Sequence, residues 1–188
     1  MPYIPLEEHL PGVTGLLEYS RETSEPLREL TQLLLRGSST LTEAEREWIA
    51  TLVSHKNQCV YCATSHAAAA DAFLGEHTTT EKIRAGHTSA PISEKMKALL
   101  TIASQVQESG KSVTSASIDK AKQAGATDFE IHDTVLIAAL FCLYNRYVDG
   151  LATIAPSDPI YYSEMAERLK NNGYYRPPQG YDHLKKKP

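Results

Sequence analysis

The chain has 188 residues, of which 41% are apolar, and its 19 basic and 23 acidic residues give a formal net charge of −4. This length and apolar fraction are sufficient for a single domain whose packed core does not depend on disulfide bonds. The weakly acidic balance excludes the usual signature of a nucleic-acid or anionic-membrane binder, and we expect neither partner.

The sequence also lacks the usual targeting segments. No apolar run approaches the roughly 20 residues that cross a bilayer, and the N-terminal MPYIPLEEHL lacks the basic start and apolar centre of a secretory signal. We therefore predict a cytoplasmic protein. In that compartment a close pair of cysteines is more often redox-active or metal-binding than structural.

The first predicted elements are an irregular N-terminal arm over residues 1–22, rich in proline and glycine, and a helix that follows it. Ser24 is predicted to cap this helix, with Pro26 in its first turn and Gly37 at its end. Thr42, followed three residues later by Glu45, is a capping-box pattern that predicts the start of the next helix.

Apolar residues recur at helical spacing to the end of the chain, and glycines follow at helix-length intervals. Alternating strand patterns are absent. A helix is predicted to begin near Cys59 and to run to about Phe73. The sequence therefore predicts an all-α fold, with one domain over residues 1–173. The later helices are predicted at 80–85, 93–108, 115–124, from a second capping box at 127–130 through 135–151, and at 160–171, before a C-terminal tail over 174–188.

A weak internal repeat is visible in this pattern. A shift of 83 residues aligns Cys59 with Cys142 and Tyr61 with Tyr144, and it also aligns Glu47 with Glu130. Three identities over about twenty positions are weak support for duplication, so the predicted bundle has two weakly similar halves.

The residues with chemical potential lie in one segment, Glu47-x11-Cys59-x2-Cys62-x3-His66. Two cysteines separated by two residues in a helical turn bring their sulfurs close enough for a disulfide. At a helix N-terminus the unpaired amide groups favour a thiolate, which can attack a peroxide to give a sulfenic acid. The second thiol can then condense with that sulfenic acid to form a disulfide.

His66 follows Cys62 by four residues, so both are predicted on one helical face. An imidazole there can accept the thiol proton and later return it to the leaving oxygen. Glu47 lies on the preceding helix, and an antiparallel hairpin would let its carboxylate orient the imidazole. Ser54, Asn57 and Tyr61 flank these residues, with helix capping the favoured interpretation and shaping of the pocket the alternative.

Each of these residues also has a simpler interpretation. Cys59, Cys62 and His66 could supply three ligands of a zinc site, although the spacing is not among the usual finger patterns. The cysteines could be ordinary buried core residues. Glu47 taken alone would be a solvated helix charge.

The four spaced residues resemble the active-site signature of the AhpD-like alkylhydroperoxidases, within the carboxymuconolactone decarboxylase superfamily. Segments 41–47, 54–62 and 145–151 are similar to the peroxidase-related branch of that family, and the resemblance spans roughly residues 10–155. It implies an all-helical AhpD-like bundle with duplicated halves, a homo-oligomer (commonly a trimer or hexamer), and no metal or organic cofactor.

By this analogy Cys62 attacks the peroxide, Cys59 resolves the sulfenic acid and exchanges with a reductant, and Glu47 with His66 forms the proton relay. The residues alone also permit the reverse order, because the first cysteine at a helix start is usually the more exposed and more acidic. One position departs from the family pattern, since Tyr61 stands where the best-known members carry a second relay histidine. A phenol is a poor base near neutral pH, so a two-histidine relay must be shortened or rebuilt with water.

The leading hypothesis is therefore a thiol-dependent peroxidase of the alkylhydroperoxidase type. It would reduce hydroperoxides through a Cys59/Cys62 dithiol–disulfide cycle, with an unidentified thiol or protein as reductant. A disulfide oxidoreductase or redox sensor that acts on a protein partner is the alternative, and a decarboxylase-like or binding member of the superfamily is a further one. Broad apolar helix faces and the tyrosine-rich tail favour a homo-oligomer in which the tail could reach a neighbouring subunit.

Overall fold

Nine α-helices follow one another through residues 1–185, the part of the chain that the computed structural model describes, and no strand occurs among them. The predicted all-α fold is confirmed. Short 3-10 turns lie at His87–Ser89, Gly110–Ser112 and Asp182–Leu184. The helices are α1 (Gly12–Tyr19), α2 (Arg21–Arg36), α3 (Glu43–Lys56), α4 (Val60–Leu74), α5 (Thr78–Gly86), α6 (Glu94–Glu108), α7 (Ser115–Gln123), α8 (Asp128–Gly150) and α9 (Pro159–Asn172).

Both predicted capping boxes are present. Thr42 Oγ1 accepts a hydrogen bond from the Glu45 amide, and the Glu45 carboxylate accepts one from the Thr42 amide. Thr127 and Glu130 make the same reciprocal pair at the start of α8. These contacts satisfy amide groups that the first turn of a helix otherwise leaves unpaired.

The N-terminal region is more ordered than the sequence predicts. The arm predicted over residues 1–22 contains α1, and α2 begins at Arg21, so Ser24 lies inside a helix and donates to the Arg21 carbonyl instead of capping. Leu16 and Leu17 are buried, and this packing offsets the low helix propensity of the local glycines and prolines. Pro26 lies in the second turn of α2, where its missing amide costs one helix hydrogen bond.

A tight connection joins α3 to α4. Gln58 has a positive φ of 60°, and its amide donates to the His55 carbonyl, while the amide of Cys59 donates to the Ser54 carbonyl. These two bonds are the Schellman arrangement that ends a helix with a left-handed residue. Cys59 is at the same time the residue that caps the start of α4, so the hairpin leads directly into the cysteine pair.

The buried side chains form two clusters. The larger cluster is built mainly by α2, α3, α6 and α8, with fully buried residues such as Leu35, Ile49, Leu99 and Ile137. The smaller one, the cysteine cluster, joins α1, α4, α8 and α9. Its buried members are Leu16, Cys59, Tyr61, Cys62, Val148 and Tyr162.

The segment after α9, predicted as a tail that could reach a neighbour, packs against helices of its own chain. Gly173 has a φ of +68°, which turns the chain back toward α2, and the Tyr174 amide donates a 2.7 Å hydrogen bond to Gln32 Oε1. Tyr181 is buried as well. The last three residues of the predicted tail, 186–188, lie outside the described residues.

The two cysteines aligned by the weak repeat occupy different positions. Cys59 stands at the start of α4, whereas Cys142 lies in the interior of α8, which is continuous over 23 residues. Among residues 1–185, no helix combines the length and the apolar character needed to span a membrane.

Candidate active site

The two cysteines of the motif are reduced, buried and adjacent. Cys59 caps α4 and Cys62 lies in its first turn, with exposed fractions of 0% and 3%. The two thiols lie within one helical turn of each other and interact. The pair is therefore close, as the spacing predicts, and it is not joined as a disulfide.

The acidity of Cys62 differs from the expectation for a helix start. The hydrogen bond with the Cys59 thiol and the burial of the side chain raise the pKa of Cys62, and the contact with Asn145 only partly opposes them. The prediction of a spontaneously favoured thiolate is wrong for Cys62 in this dithiol state. Its reaction therefore requires a base that removes the proton.

His66 lies one turn beyond Cys62 and is buried with it. Its Nδ1 atom is 2.6 Å from Oε2 of Glu47, so the predicted return of α3 against α4 does bring the carboxylate to the imidazole. Phe141 packs edge-on against the imidazole, with 4.3 Å between ring centroids. The ring is thus fixed on one side by the carboxylate and on another by an aromatic edge.

Glu47 is fully buried and accepts three hydrogen bonds. Besides His66, its partners are Arg36, which donates from Nη2 at 2.6 Å, and Tyr174, whose hydroxyl donates at 2.5 Å. Burial raises the pKa of Glu47, but His66, Arg36 and Tyr174 together outweigh it, and the pKa lies below its usual value. Glu47 is therefore ionised at neutral pH.

The orientation of the imidazole nitrogens follows from these contacts. An ionised carboxylate only accepts hydrogen bonds, so Nδ1 of His66 carries the proton that faces Glu47. The lone pair of the neutral ring is then on Nε2. In the neutral ring, Nε2 is therefore the atom that can accept a proton. Arg36 gives the Glu47 carboxylate a second charge partner.

Arg36 and Tyr174 were not predicted from the sequence. The Arg36 guanidinium lies over two rings, 4.7 Å from the centroid of Phe73 and 4.9 Å from that of Tyr174. Burial, followed by the charge of Glu47, raises the pKa of Tyr174 well above its usual value, so its hydroxyl stays protonated as a donor. Neither contact leaves a periodic signal, because Tyr174 is 127 residues from Glu47 in sequence and Arg36 lies on a different helix, α2.

Tyr61 stands where the family pattern has a second histidine, but its contacts do not suit it to relay a proton. Its hydroxyl lies 3.1 Å from that of Tyr161 and 3.5 Å from Thr14 Oγ1, and burial raises its pKa well above the usual value. The ring covers Gly12, where a Cβ atom would lie 2.2 Å from the ring carbons. Tyr61 shapes the wall of the site.

Asn57 is the C-terminal cap residue of α3, as the favoured interpretation expects, but neither Asn57 nor Ser54 caps a helix through its side chain. The side chain of Asn145 donates to Ser54 Oγ at 3.0 Å and accepts from Asn57 Nδ2 at 2.8 Å. Asn145 is itself the amide in contact with Cys62. Ser54 and Asn57 thus hold the orientation of a side chain beside the thiol.

A cavity of about 70 Å³ lies beside Cys62 and His66. Cys62 and His66 both form part of its wall, as do Tyr61 and Tyr174, whereas Cys59 does not. The alternative in which Cys59 is the more exposed thiol therefore does not fit the structure. Among the side chains that the structure describes, no group of three or more His, Cys, Asp or Glu is arranged to hold a metal ion.

Several solved structures share the architecture. An uncharacterized peroxidase-related protein from Silicibacter sp. TM1040 superposes with a TM-score of 0.74 at 24% identity, over 81% of this chain and 78% of that one. The alkylhydroperoxidase AhpD core of an uncharacterized peroxidase-related protein from Ralstonia eutropha JMP134 gives a TM-score of 0.74 at 24% identity, over 83% and 80%. A protein of unknown function from Agrobacterium tumefaciens, named as a candidate antioxidant defence protein AhpD, gives 0.67 at 17% identity, over 78% and 99%.

These similarities show that the chain has an AhpD-like fold. No protein-family model matches the sequence, and no curated protein matches it.

Proposed function

We propose that the protein is a thiol-dependent peroxidase that reduces small hydroperoxides through Cys62 and Cys59. One observation carries the proposal: Cys62 and His66 share the wall of one cavity, and Glu47 holds the opposite side of the imidazole. This arrangement provides a nucleophile, a base and a group that orients the base. The AhpD-like fold and the names of its structural neighbours support the same class of activity.

In the first step, Nε2 of His66 accepts the thiol proton of Cys62, and the thiolate attacks the outer oxygen of the hydroperoxide. The O–O bond breaks as the S–O bond forms, and the proton on His66 passes to the leaving alkoxide. The products are a Cys62 sulfenic acid and an alcohol, so sulfur loses the two electrons that the peroxide gains. A base is needed because the pKa of Cys62 is raised.

In the second step, the Cys59 sulfur attacks the sulfenic sulfur of Cys62. A disulfide forms, and the departing hydroxide leaves as water with the Cys59 proton. Cys59 and Cys62 lie within one turn at the start of α4, so little movement is required. An external dithiol would then restore the pair and become a disulfide itself.

The burial of the pair bears on the choice between functions. Cys59 is completely buried, so a protein partner cannot reach its sulfur without local opening of the start of α4. This argues against disulfide exchange with a protein as the main activity. The expected homo-oligomer stays a prediction; exposed side chains such as Leu33, Phe129 and Ile160 provide apolar surface that subunits could bury.

The test is an anaerobic titration of the reduced protein with one equivalent of ethyl hydroperoxide, followed by thiol counting and peptide mass mapping. The proposal predicts rapid loss of two thiols and a Cys59–Cys62 disulfide. In Cys59→Ser, the sulfenic acid on Cys62 should accumulate and should be trapped by dimedone. Cys62→Ser should lose the rapid reaction.

The matched control is Cys142→Ser, because Cys142 is a half-buried free thiol outside the cavity. It should react as the unmodified chain does. Retention of full peroxide turnover with a dithiol donor in Cys62→Ser would refute the proposal. Slow thiol loss in the unmodified chain would instead move the assignment to disulfide exchange.

A further inference from the structure

Arg28 on α2 contributes a buried cation to the cavity beside Cys62. Its side chain is only 9% exposed, and the residue forms part of the cavity wall. Nη1 donates to the Tyr181 hydroxyl at 3.0 Å, and Nη2 donates to Glu18 at 3.1 Å. The Nε–H is buried without an acceptor among the described residues. A buried donor left in this state costs free energy unless a ligand or water satisfies it.

A second arginine lies in the same wall. The guanidinium of Arg168, on α9, is half-buried, and it makes no ion pair with a carboxylate of the described residues. Its guanidinium carbon lies 5.8 Å from the centroid of the Tyr181 ring, and so does that of Arg28. The C-terminal segment therefore holds both cations at one side of the cavity.

The charges around the cavity do not balance. Its wall contains two arginines and, among the described residues, no aspartate or glutamate. Glu18, the ionic partner of Arg28, also binds Arg176 through Nε, so one carboxylate serves two guanidinium groups. The cavity therefore has an excess of positive charge that a neutral alkyl hydroperoxide would not use.

We propose that Arg28 and Arg168 form a carboxylate-binding site, and that the preferred substrate is a short hydroperoxide or peroxy acid that carries a carboxylate. This inference rests on the proposed function, which assigns the peroxide group of the substrate to Cys62 and His66. The peroxide group faces Cys62 and His66, while the carboxylate accepts the unpaired Nε–H of Arg28. Arginine suits this role because its planar fork and permanent charge match a carboxylate.

Binding can be measured without the reaction. Isothermal titration calorimetry of the reduced protein would compare propionate with propionamide, which has the same shape and no charge. We expect propionate to bind more tightly. Arg28→Lys keeps the charge but removes the Nε–H, and we expect it to weaken propionate binding by roughly tenfold or more, as for other hydrogen bonds to a charged group. Arg168→Gln should weaken it as well.

The matched control is Arg21→Gln, which removes one positive charge from an exposed position of the same helix, outside the cavity. It should leave propionate affinity unchanged. Equal affinities for propionate and propionamide, or unaltered propionate binding in both Arg28→Lys and Arg168→Gln, would overturn the inference. If Arg28→Lys does not fold, the effect of Arg168→Gln and the comparison of propionate with propionamide still test the inference.

Thiol loss with ethyl hydroperoxide, measured on the same samples, separates this inference from the function beneath it. Rapid disulfide formation without selective propionate binding would refute the carboxylate-binding site and support the peroxidase function. Selective propionate binding without thiol oxidation would leave a carboxylate site in a protein of another activity.

Discussion

The hydroxyl of Tyr174 donates a 2.5 Å hydrogen bond to Oε1 of Glu47, the carboxylate whose other oxygen binds His66. A residue from the C-terminal segment thus completes a site whose cysteines and histidine lie on α4. The ring of Tyr174 also lies nearly parallel to that of His66, at 14° and 6.1 Å between centroids. The orientation of the imidazole therefore depends on this segment as well as on the hairpin of α3 and α4.

Tyr174→Phe tests that dependence. The variant removes one donor from the buried carboxylate, and the fold should lose about 1–3 kcal/mol. With one of its three donors gone, Glu47 should hold His66 less firmly. We therefore expect slower thiol oxidation by ethyl hydroperoxide and an altered pH–rate profile, measured by stopped-flow thiol counting.

Tyr175→Phe is the matched control, because its side chain is adjacent in sequence and 54% exposed. It should change neither the rate nor the stability. An unchanged pH–rate profile in Tyr174→Phe would mean that the hydroxyl contributes to stability alone.

The raised pKa of Cys62 predicts a specific pH dependence. Since the thiolate is the nucleophile, and since its pKa lies above the usual value of about 8.5, the rate of peroxide-driven thiol loss should still be rising at pH 9. His66→Asn should be slowed most near neutral pH, and the difference should narrow as the pH rises. His55→Asn, an exposed histidine on α3, serves as control. A plateau below pH 8 would contradict the prediction.

Glu47 predicts a second pH dependence, which affects stability and lies at acidic pH. Its pKa is lower in the folded chain than in the unfolded chain, so its ionisation stabilises the fold above the unfolded value of about 4.3. This contribution is lost as the pH falls through the folded pKa. Glu47→Gln leaves Arg36 buried without its charge partner, and we expect a loss of about 3–5 kcal/mol at pH 7.

Below pH 4 the difference between Glu47→Gln and the unmodified chain should shrink. Urea unfolding followed by circular dichroism at several pH values measures it. Glu29→Gln, an exposed substitution on α2, is the control and should be neutral throughout. A difference that stays constant from pH 7 to pH 3 would show that Glu47 is not ionised in the folded chain.

Gly12 and Gly75 offer a matched pair for the packing of Tyr61. Both have positive φ, +57° and +71°, but a Cβ at Gly12 would lie 2.2 Å from the Tyr61 ring, whereas nothing lies within 4 Å of one at Gly75. We expect Gly75→Ala to cost about 1 kcal/mol from backbone strain and Gly12→Ala to cost about 3 kcal/mol, since overpacking adds to it. Equal losses in urea unfolding would mean that the ring moves aside freely.

The size of the cavity predicts selectivity among peroxides. Its volume is about 70 Å³, less than half of the about 150 Å³ that accommodates benzene in an engineered apolar core. Hydrogen peroxide and ethyl hydroperoxide should therefore oxidise the thiols faster than cumene hydroperoxide does. Met165→Ala removes a side chain from the wall of the cavity. It should reduce the difference between the second-order rate constants of the small peroxides and that of cumene hydroperoxide. Equal rates for all three peroxides in the unmodified chain would contradict the prediction.

Local sequence patterns were sufficient to predict the parts of the site that lie on the hairpin of α3 and α4. The spacing of Cys62 and His66 places both on one face of α4, and the short connection after α3 returns Glu47 to them. The two capping boxes fix helix starts for the same reason, because each depends on residues three positions apart. Helical periodicity likewise predicts the all-α fold.

Contacts between distant segments left no comparable signal. The hydrogen bond from Tyr174 to Glu47 and the charge pair with Arg36 arise from how α2 and the C-terminal segment pack on α3. The helix at residues 12–19 was missed because local propensity opposes it and burial of Leu16 outweighs propensity. The raised pKa of Cys62 results from burial, which the helix-start argument does not include.

The distance in sequence between α4 and Tyr174 also determines when reactivity can arise during biosynthesis. Both cysteines and His66 are synthesised about a hundred residues before Tyr174. A nascent or truncated chain can thus form the α3–α4 hairpin while its imidazole lacks the tyrosine and its cavity lacks the wall that Tyr181 provides. Rapid oxidation of the thiols by peroxide would therefore report that synthesis has passed Tyr181 and that this segment has folded onto the site.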